Sequence, residues 1–209
     1  MEPTSAYRYV PLRKEASEFR ILELLPRPKN PQSPLLCRMR HITLNALKLA
    51  EEQNSLERRK LKYEAISYCW GDPTPSRVIQ IDDAALHLPV NSEKALRLLA
   101  LPRRKRVIYL DAVCINQANL AERASQVQLM GDIYRHAQAT IVYLGDAHEN
   151  TARAFNNIHL LYHELLDEVK AHEDDMADLV DNSIHAEHAL RTPLETDALI
   201  ELFERPWFR

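Results

Sequence analysis

The sequence predicts an α/β fold with a mostly parallel sheet flanked by helices, and three patterns lead to that prediction. Residues 107–115 form a nearly continuous apolar run, which is typical of a strand covered on both faces. A clear amphipathic helix pattern follows over residues 120–136, and residues 140–145 predict another short buried strand. A strand, a helix and a strand joined by short connections favour a right-handed crossover and parallel pairing.

Residues 1–62 predict a β-rich N-terminal segment that packs on a core formed by residues 63–209. Residues 19–25 alternate imperfectly and stop at Pro26, which suggests an edge strand, and residues 35–42 can pair with them as a hairpin. Residues 43–60 are polar and helix-permissive, as expected for an insertion or a linker helix.

The remaining core elements follow in order. Residues 63–70 predict a strand that ends at a Gly-Asp-Pro turn, and residues 78–81 and 85–90 predict a hairpin. Asn91 or Ser92 can begin the next helix. We expect C-terminal helical decoration: a helix over residues 151–169, a loosely packed acidic segment over 171–197, and a last helix over 197–203.

Composition describes a soluble globular chain: 209 residues, a formal charge of −3 and 45% hydrophobic residues. With only 3 glycines, the glycine-rich dinucleotide fingerprint and the Walker phosphate loop are both absent. The cysteines lack metal-ligand spacing, and their odd number fits a reducing compartment. No apolar run approaches the roughly 18 residues of a membrane span. We therefore expect a cytoplasmic protein without a bound metal.

Charge is distributed unevenly along the chain. Residues 1–110 carry 20 basic and 12 acidic side chains, a net charge of +8, whereas residues 111–209 carry 7 and 18, a net charge of −11. The basic clusters at residues 58–60 and 103–106 precede strand-like runs and lack interleaved aromatic residues for base stacking. This pattern favours solvated loops over a nucleic-acid partner.

Four motifs carry the functional information. They read YEAISYCWGD at residues 63–72, LDAVCINQ at 110–117, ERASQVQLMGDIYRHA at 122–137 followed by IVYLGD at 141–146, and RPWFR at 205–209. In this order they resemble the fungal heterokaryon incompatibility (HET) domain, and the resemblance covers nearly the whole chain. Because the family pattern normally continues past the last motif, we expect residues 63–209 to form a HET core truncated at its C-terminal end.

The resemblance implies a role in fungal non-self recognition, in which the domain triggers programmed cell death when it self-associates or meets other HET or recognition-module proteins. The first motif also resembles, more weakly, the first strand of Toll/interleukin-1 receptor (TIR) domains. This second resemblance implies a TIR-like, flavodoxin-like core that cleaves NAD, with NAD as a substrate and no tightly bound cofactor. The alternative is a non-enzymatic module that signals by oligomerisation or partner recruitment.

Glu122 is the candidate catalytic carboxylate. It follows the strand predicted over residues 110–117, at the sheet edge where open parallel sheets bind ligands. A single carboxylate there can stabilise an oxocarbenium-like ribose as nicotinamide leaves. The alternative is structural, because Asn119 and Glu122 have capping-box spacing and Glu122 can simply bond the first free amide of the helix.

Seven further residues are candidates for binding the substrate. Trp70 can stack on a flat ring or lie in the core, and Gly71 can simply supply a turn. Asp111 can instead pair with Arg123 or cap a loop, and Asn116 can instead hold its turn. The full set is Ser67, Tyr68, Trp70, Gly71, Asp111, Asn116 and Gln117.

Two other features predict no chemistry. Cys114 lies in an apolar run without an adjacent histidine, so its thiol should be protonated and inert. His159 and His163 have i, i+4 spacing but lack an obvious third metal ligand, which favours a solvated helix face.

Overall fold

The computed structural model describes residues 5–52, 61–175 and 196–208, in two compact units, Met1–Gly145 and Asp146–Arg209. The first unit is a mixed α/β structure, as predicted. Its strands are β1 Ser5–Ala6, β2 Glu18–Leu24, β3 Leu35–Thr43, β4 Glu64–Tyr68, β5 Arg77–Ile81, β6 Ala84–Leu88, β7 Arg106–Tyr109 and β8 Ala139–Tyr143. Its helices are α1 Leu44–Glu52, α2 Val90–Leu99, α3 Asp111–Cys114 and α4 Leu120–Arg135.

The described strands form one sheet in the order β1-β6-β5-β3-β2-β7-β4-β8. Four of its seven pairings are parallel (β1/β6, β3/β5, β4/β7 and β4/β8) and three are antiparallel. The predicted crossover from β7 through α4 to β8 is confirmed, with β4 inserted between the two strands. The carboxyl ends of β7, β4 and β8 therefore meet at one edge of the sheet.

Strands β2 and β3 form the predicted hairpin, with Leu24 opposite Cys37 and Glu18 opposite Thr43. The prediction of an edge strand is wrong, because β2 lies between β3 and β7 and is buried at all seven positions. Arg20 and Glu23 interrupt the apolar pattern in the sequence. Both are buried, and each is paired with charged partners that no local pattern reveals.

The strand predicted to continue through residue 115 ends at Tyr109, and Asp111–Cys114 form a single helical turn instead. The prediction failed because Ala112, Val113 and Cys114 are buried in either geometry, so an apolar run cannot distinguish the two. Residues 115–117 therefore lie in a loop and not in a strand.

Strand β8 also differs from expectation, since it is an edge strand with three of its five residues exposed. The predicted β5/β6 hairpin is confirmed, and so are the helices predicted from residues 91 or 92 and over 120–136. The core between sheet and helices is aliphatic and aromatic, and Phe19, Tyr63 and Tyr109 pack edge to face within it.

The second unit holds α5 Thr151–Asp175 and α6 Thr196–Phe203, which pack on each other. Arg205 donates to the Asp146 carbonyl at 3.2 Å and to Thr151 Oγ1 at 2.7 Å. The C-terminal helices are thus confirmed, with α5 longer than predicted. Most of the segment predicted to be loosely packed, residues 176–195, lies outside the described residues, as do residues 53–60 of the predicted linker.

No helix among the described residues is both long and apolar enough to span a membrane.

Candidate functional site

Polar and aromatic side chains collect where parallel strands β4 and β7 end. Tyr68 closes β4, Trp70 follows it, and Asp111 comes two residues after the end of β7. Because the two strands are adjacent and parallel, these three residues meet at the same edge of the sheet. The sequence-predicted grouping of Tyr68, Trp70 and Asp111 is observed.

Asp111 links this group by hydrogen bonds. Trp70 Nε1 donates to Asp111 Oδ2 at 3.1 Å, and the Ala112 amide donates to Oδ1 at 2.7 Å. The Tyr68 hydroxyl lies 2.8 Å from Ser92 Oγ, and the Tyr68 and Trp70 rings are nearly parallel at 16° with centroids 6.5 Å apart. Burial raises the pKa of Asp111, and the hydrogen bonds from Ala112, Trp70 and Tyr68 only partly oppose that rise.

The loop after α3 ties this group to Glu122. Gln117 Nε2 donates to the Asp111 carbonyl at 2.9 Å, and the neighbouring Asn116 amide donates to Glu122 Oε1 at 2.7 Å. The Asn116 side chain accepts from the Ala118 amide at 3.2 Å, so it holds the turn as the structural alternative proposed. Asn116 and Gln117 therefore link the backbone carbonyl of Asp111 to the carboxylate of Glu122.

The Glu122 carboxylate forms a bidentate ion pair with Arg20. The distances are 2.7 Å from Arg20 Nη1 to Oε1 and 3.1 Å from Nη2 to Oε2, and the two side chains are 0% and 8% exposed. Burial would raise the pKa of Glu122, but the hydrogen bonds from Arg20 and Asn116 and the nearby positive charge outweigh it and lower the pKa. Glu122 is therefore an anion at neutral pH.

The capping-box alternative is only half present. Asn119 Oδ1 accepts from the Glu122 amide at 3.1 Å, which caps α4. The reciprocal bond is replaced, because the Asn119 amide donates to the Asn116 carbonyl at 3.0 Å and the Glu122 carboxylate faces Arg20. Glu122 therefore does more than cap its own helix.

Arg20 is the residue that sequence reasoning missed. Its guanidinium also donates to the Cys114 carbonyl at 3.0 Å and to the Val10 carbonyl at 2.7 Å, and it lies 4.8 Å from the centre of the Tyr9 ring. An arginine between Phe19 and Ile21 in a strand pattern was the available signal, since such a position requires a buried partner. Residues before position 63 thus complete the surroundings of Glu122.

Gly71 and Ser67 are not joined to the Asp111 group by these hydrogen bonds. Gly71 has φ +64°, and a Cβ there would lie 2.7 Å from Asn91 Nδ2, which donates to the Cys69 carbonyl. Gly71 thus supplies the turn that the structural alternative described. Ser67 is half-buried and alternates with Tyr68 on the other face of β4.

Two other observations delimit the site. Burial raises the pKa of the Cys114 thiol to about 12, so this buried cysteine is protonated. A cavity of about 290 Å³ lies at the opposite, amino end of β4, lined by residues that include Leu47, Glu51, Lys62 and His136. None of the sequence-predicted site residues lines that cavity.

Comparison with known proteins identifies the family. The family model described as Heterokaryon incompatibility protein (HET) matches residues 63–209, which is most of the chain. The chain belongs to the HET family. It is 30% identical to Heterokaryon incompatibility protein 6, OR allele, of Neurospora crassa, over a match covering 54% of this chain and 18% of that protein. No solved structure matches.

Both matches are to proteins named for heterokaryon incompatibility. The chain spans about a fifth of the length of the N. crassa relative. All four sequence motifs lie within the matched residues 63–209, whereas Arg20 and Tyr9 precede them.

Proposed function

We propose that this HET domain is a cytoplasmic effector of fungal non-self recognition that triggers programmed cell death by TIR-like cleavage of NAD when copies self-associate or meet other HET or recognition-module proteins. The incompatibility role is supported by the family, and the enzymatic step by the chemistry of the site. All three cysteines are described and none is in a disulfide, which supports a reducing compartment.

The observation that carries the proposal is the ionised Glu122 at the carboxyl edge of the parallel strands. Loss of nicotinamide breaks the bond between ribose C1′ and the ring nitrogen, and the electron pair of that bond stays on the nitrogen. The ribose becomes oxocarbenium-like, and a fixed anion stabilises that charge without reorganising. Water then adds its oxygen to C1′ and releases a proton.

The remaining site residues have supporting roles in the proposal. Trp70 stacks on the nicotinamide ring, while the Asn116 and Gln117 side chains contact the ribose or the carboxamide. The proposed binding residues are Ser67, Tyr68, Trp70, Gly71, Asp111, Asn116 and Gln117.

The test is NAD consumption by concentrated purified protein and by a matched variant series. Glu122→Gln removes the anion, and Glu122→Asp keeps the charge but withdraws the carboxylate by one methylene. Asp132→Asn removes a carboxylate of α4 that pairs with exposed Arg135. We expect NAD loss by the wild-type protein and Asp132→Asn, and at least 100-fold slower loss by both Glu122 variants. Equal NAD loss by a folded Glu122→Asp protein would remove Glu122 from the mechanism.

A second candidate is a non-enzymatic module that signals by oligomerising or recruiting a partner. The observation that favours it is the closed geometry of Glu122, which is 8% exposed and already bonded to Arg20 and the Asn116 amide. On this account the ion pair only stabilises the fold. Death of fungal cells expressing a folded Glu122→Asp protein, with NAD unchanged, would favour this candidate over the enzyme.

A further inference from the structure

The two carboxylates of the site differ in their charge balance. The Glu122 carboxylate forms an ion pair with the Arg20 guanidinium at 2.7 Å. Asp111 accepts hydrogen bonds only from uncharged groups, and no lysine, arginine or histidine among the described residues forms an ion pair with it. The ion pair between Asp111 and Arg123 that the sequence offered as an alternative is not formed among the described residues. Within the described part of the chain, Asp111 is therefore a mostly buried carboxylate that forms no ion pair.

The surroundings of Asp111 suit a flat cation. Its Oδ2 is bonded to the Trp70 indole, so the negative charge sits at the edge of an aromatic ring. Tyr68 lies parallel to Trp70 and completes an aromatic wall. Aromatic faces attract cations, and a carboxylate at low dielectric strengthens that attraction.

We propose that Asp111 and Trp70 together recognise the positive charge of an N-substituted pyridinium ring, and thereby select the oxidised nicotinamide group. This inference rests on the proposed NAD-cleaving function and identifies the part of the substrate that the site recognises. Trp70 stacks on the ring and Asp111 supplies the missing countercharge. A neutral ring of the same shape gains the stacking but not the charge interaction.

The same contact favours release of the product. When the bond from C1′ to the ring nitrogen breaks, the electron pair returns to the ring and nicotinamide leaves uncharged. Its attraction to Asp111 falls at that step, whereas the substrate keeps it. The site therefore holds the reactant more tightly than the product. The contact contributes to recognition of the substrate and not to the rate of bond breaking, because the ring charge falls towards the transition state.

The experiment measures binding and needs no turnover. In a Trp207→Phe background Trp70 is the only tryptophan, because the chain has two. Its fluorescence is followed while N-methylnicotinamide, a permanent cation, or neutral nicotinamide is added. We expect saturable quenching, with the cation bound about tenfold more tightly than the neutral ring, which corresponds to about 1.4 kcal/mol.

Asp111→Asn should abolish this preference while keeping an acceptor for the Trp70 indole, and Asp132→Asn should leave it unchanged. Circular dichroism reports whether each variant is folded. Equal binding of the two rings by the wild-type protein, or an unchanged preference in folded Asp111→Asn, would overturn the inference and leave Asp111 as a cap for the Ala112 amide. Cation-selective binding without NAD cleavage would sustain the site and refute only the enzymatic proposal.

Discussion

The ion pair between Arg20 and Glu122 predicts the largest single-residue effects on stability. Arg20→Met removes the cation and leaves the 8% exposed Glu122 carboxylate without its partner. Glu122→Gln removes the anion and leaves the fully buried Arg20 guanidinium without its partner. Breaking a buried pair by removing one partner costs about 3–5 kcal/mol, because the remaining charge is uncompensated.

This loss of stability should produce a measurable fall in melting temperature. In a chain of this size 1 kcal/mol corresponds to about 2–4 °C in melting temperature, so each single variant should melt about 6–20 °C lower. The double variant should lose much less than the sum of the singles, with a coupling energy of about 2 kcal/mol or more.

Urea unfolding of the wild type, the two single variants and the double variant, followed by circular dichroism, measures this double-mutant cycle. The matched control is the surface pair of Arg135 and Asp132, whose side chains are 76% and 38% exposed. Arg135→Met should cost less than about 1 kcal/mol. If Arg20→Met costs no more than Arg135→Met, the pair does not hold the site together and the reasoning fails.

The same pair predicts a dependence on pH. The pKa of Glu122 is lowered from its ordinary value of 4.5 in the folded protein, so its stabilising contribution is fully present above pH 4.5. It is lost as pH falls through the lower folded pKa. The stability difference between wild type and Glu122→Gln should therefore shrink as the pH falls through that pKa, and a difference that grows in acid would contradict the assignment.

Three further substitutions test local features. Gly71→Ala should destabilise the chain by about 1–3 kcal/mol in urea unfolding, because φ is +64° and the new Cβ would meet Asn91 Nδ2 at 2.7 Å. Gly131→Ala should instead stabilise it by up to about 1 kcal/mol, because a methyl group at this helical glycine would point into open space, with no neighbouring element within 4 Å. Tyr63→Phe should cost about 1–3 kcal/mol, because its buried hydroxyl donates to the Ile133 carbonyl, which would lose its partner.

Sequence patterns predicted the α/β class, the hairpins and the helices because each depends on local periodicity. They failed for β2 and for residues 110–115. In β2, Arg20 breaks the alternation, yet it is buried because it pairs with Glu122. No local pattern reveals this partner, since Glu122 lies 102 positions away in the sequence. For residues 110–115, an apolar run does not distinguish a buried strand from a buried helical turn. The structure has the helical turn, in which the Ala112 amide donates to the Asp111 side chain.

The motif positions predicted that Tyr68, Trp70 and Asp111 would follow strand ends, and these residues meet at one sheet edge. What they could not supply is the charge balance of each carboxylate. Both Glu122 and Asp111 are carboxylates that follow strand-like runs, but Arg20 pairs with Glu122, whereas Asp111 forms no ion pair with any cation of the described residues. The boundary at residue 62 and the TIR-like architecture stay predictions. So do the catalytic role of Glu122 and the binding roles of Ser67, Tyr68, Trp70, Gly71, Asp111, Asn116 and Gln117.

The most direct test of the account is the NAD content of fungal cells that express this chain. We predict that NAD falls before viability in cells expressing the wild-type protein, and that both stay normal with Glu122→Asp at equal protein levels. Cell death in the wild-type strain with an unchanged NAD content would contradict the account.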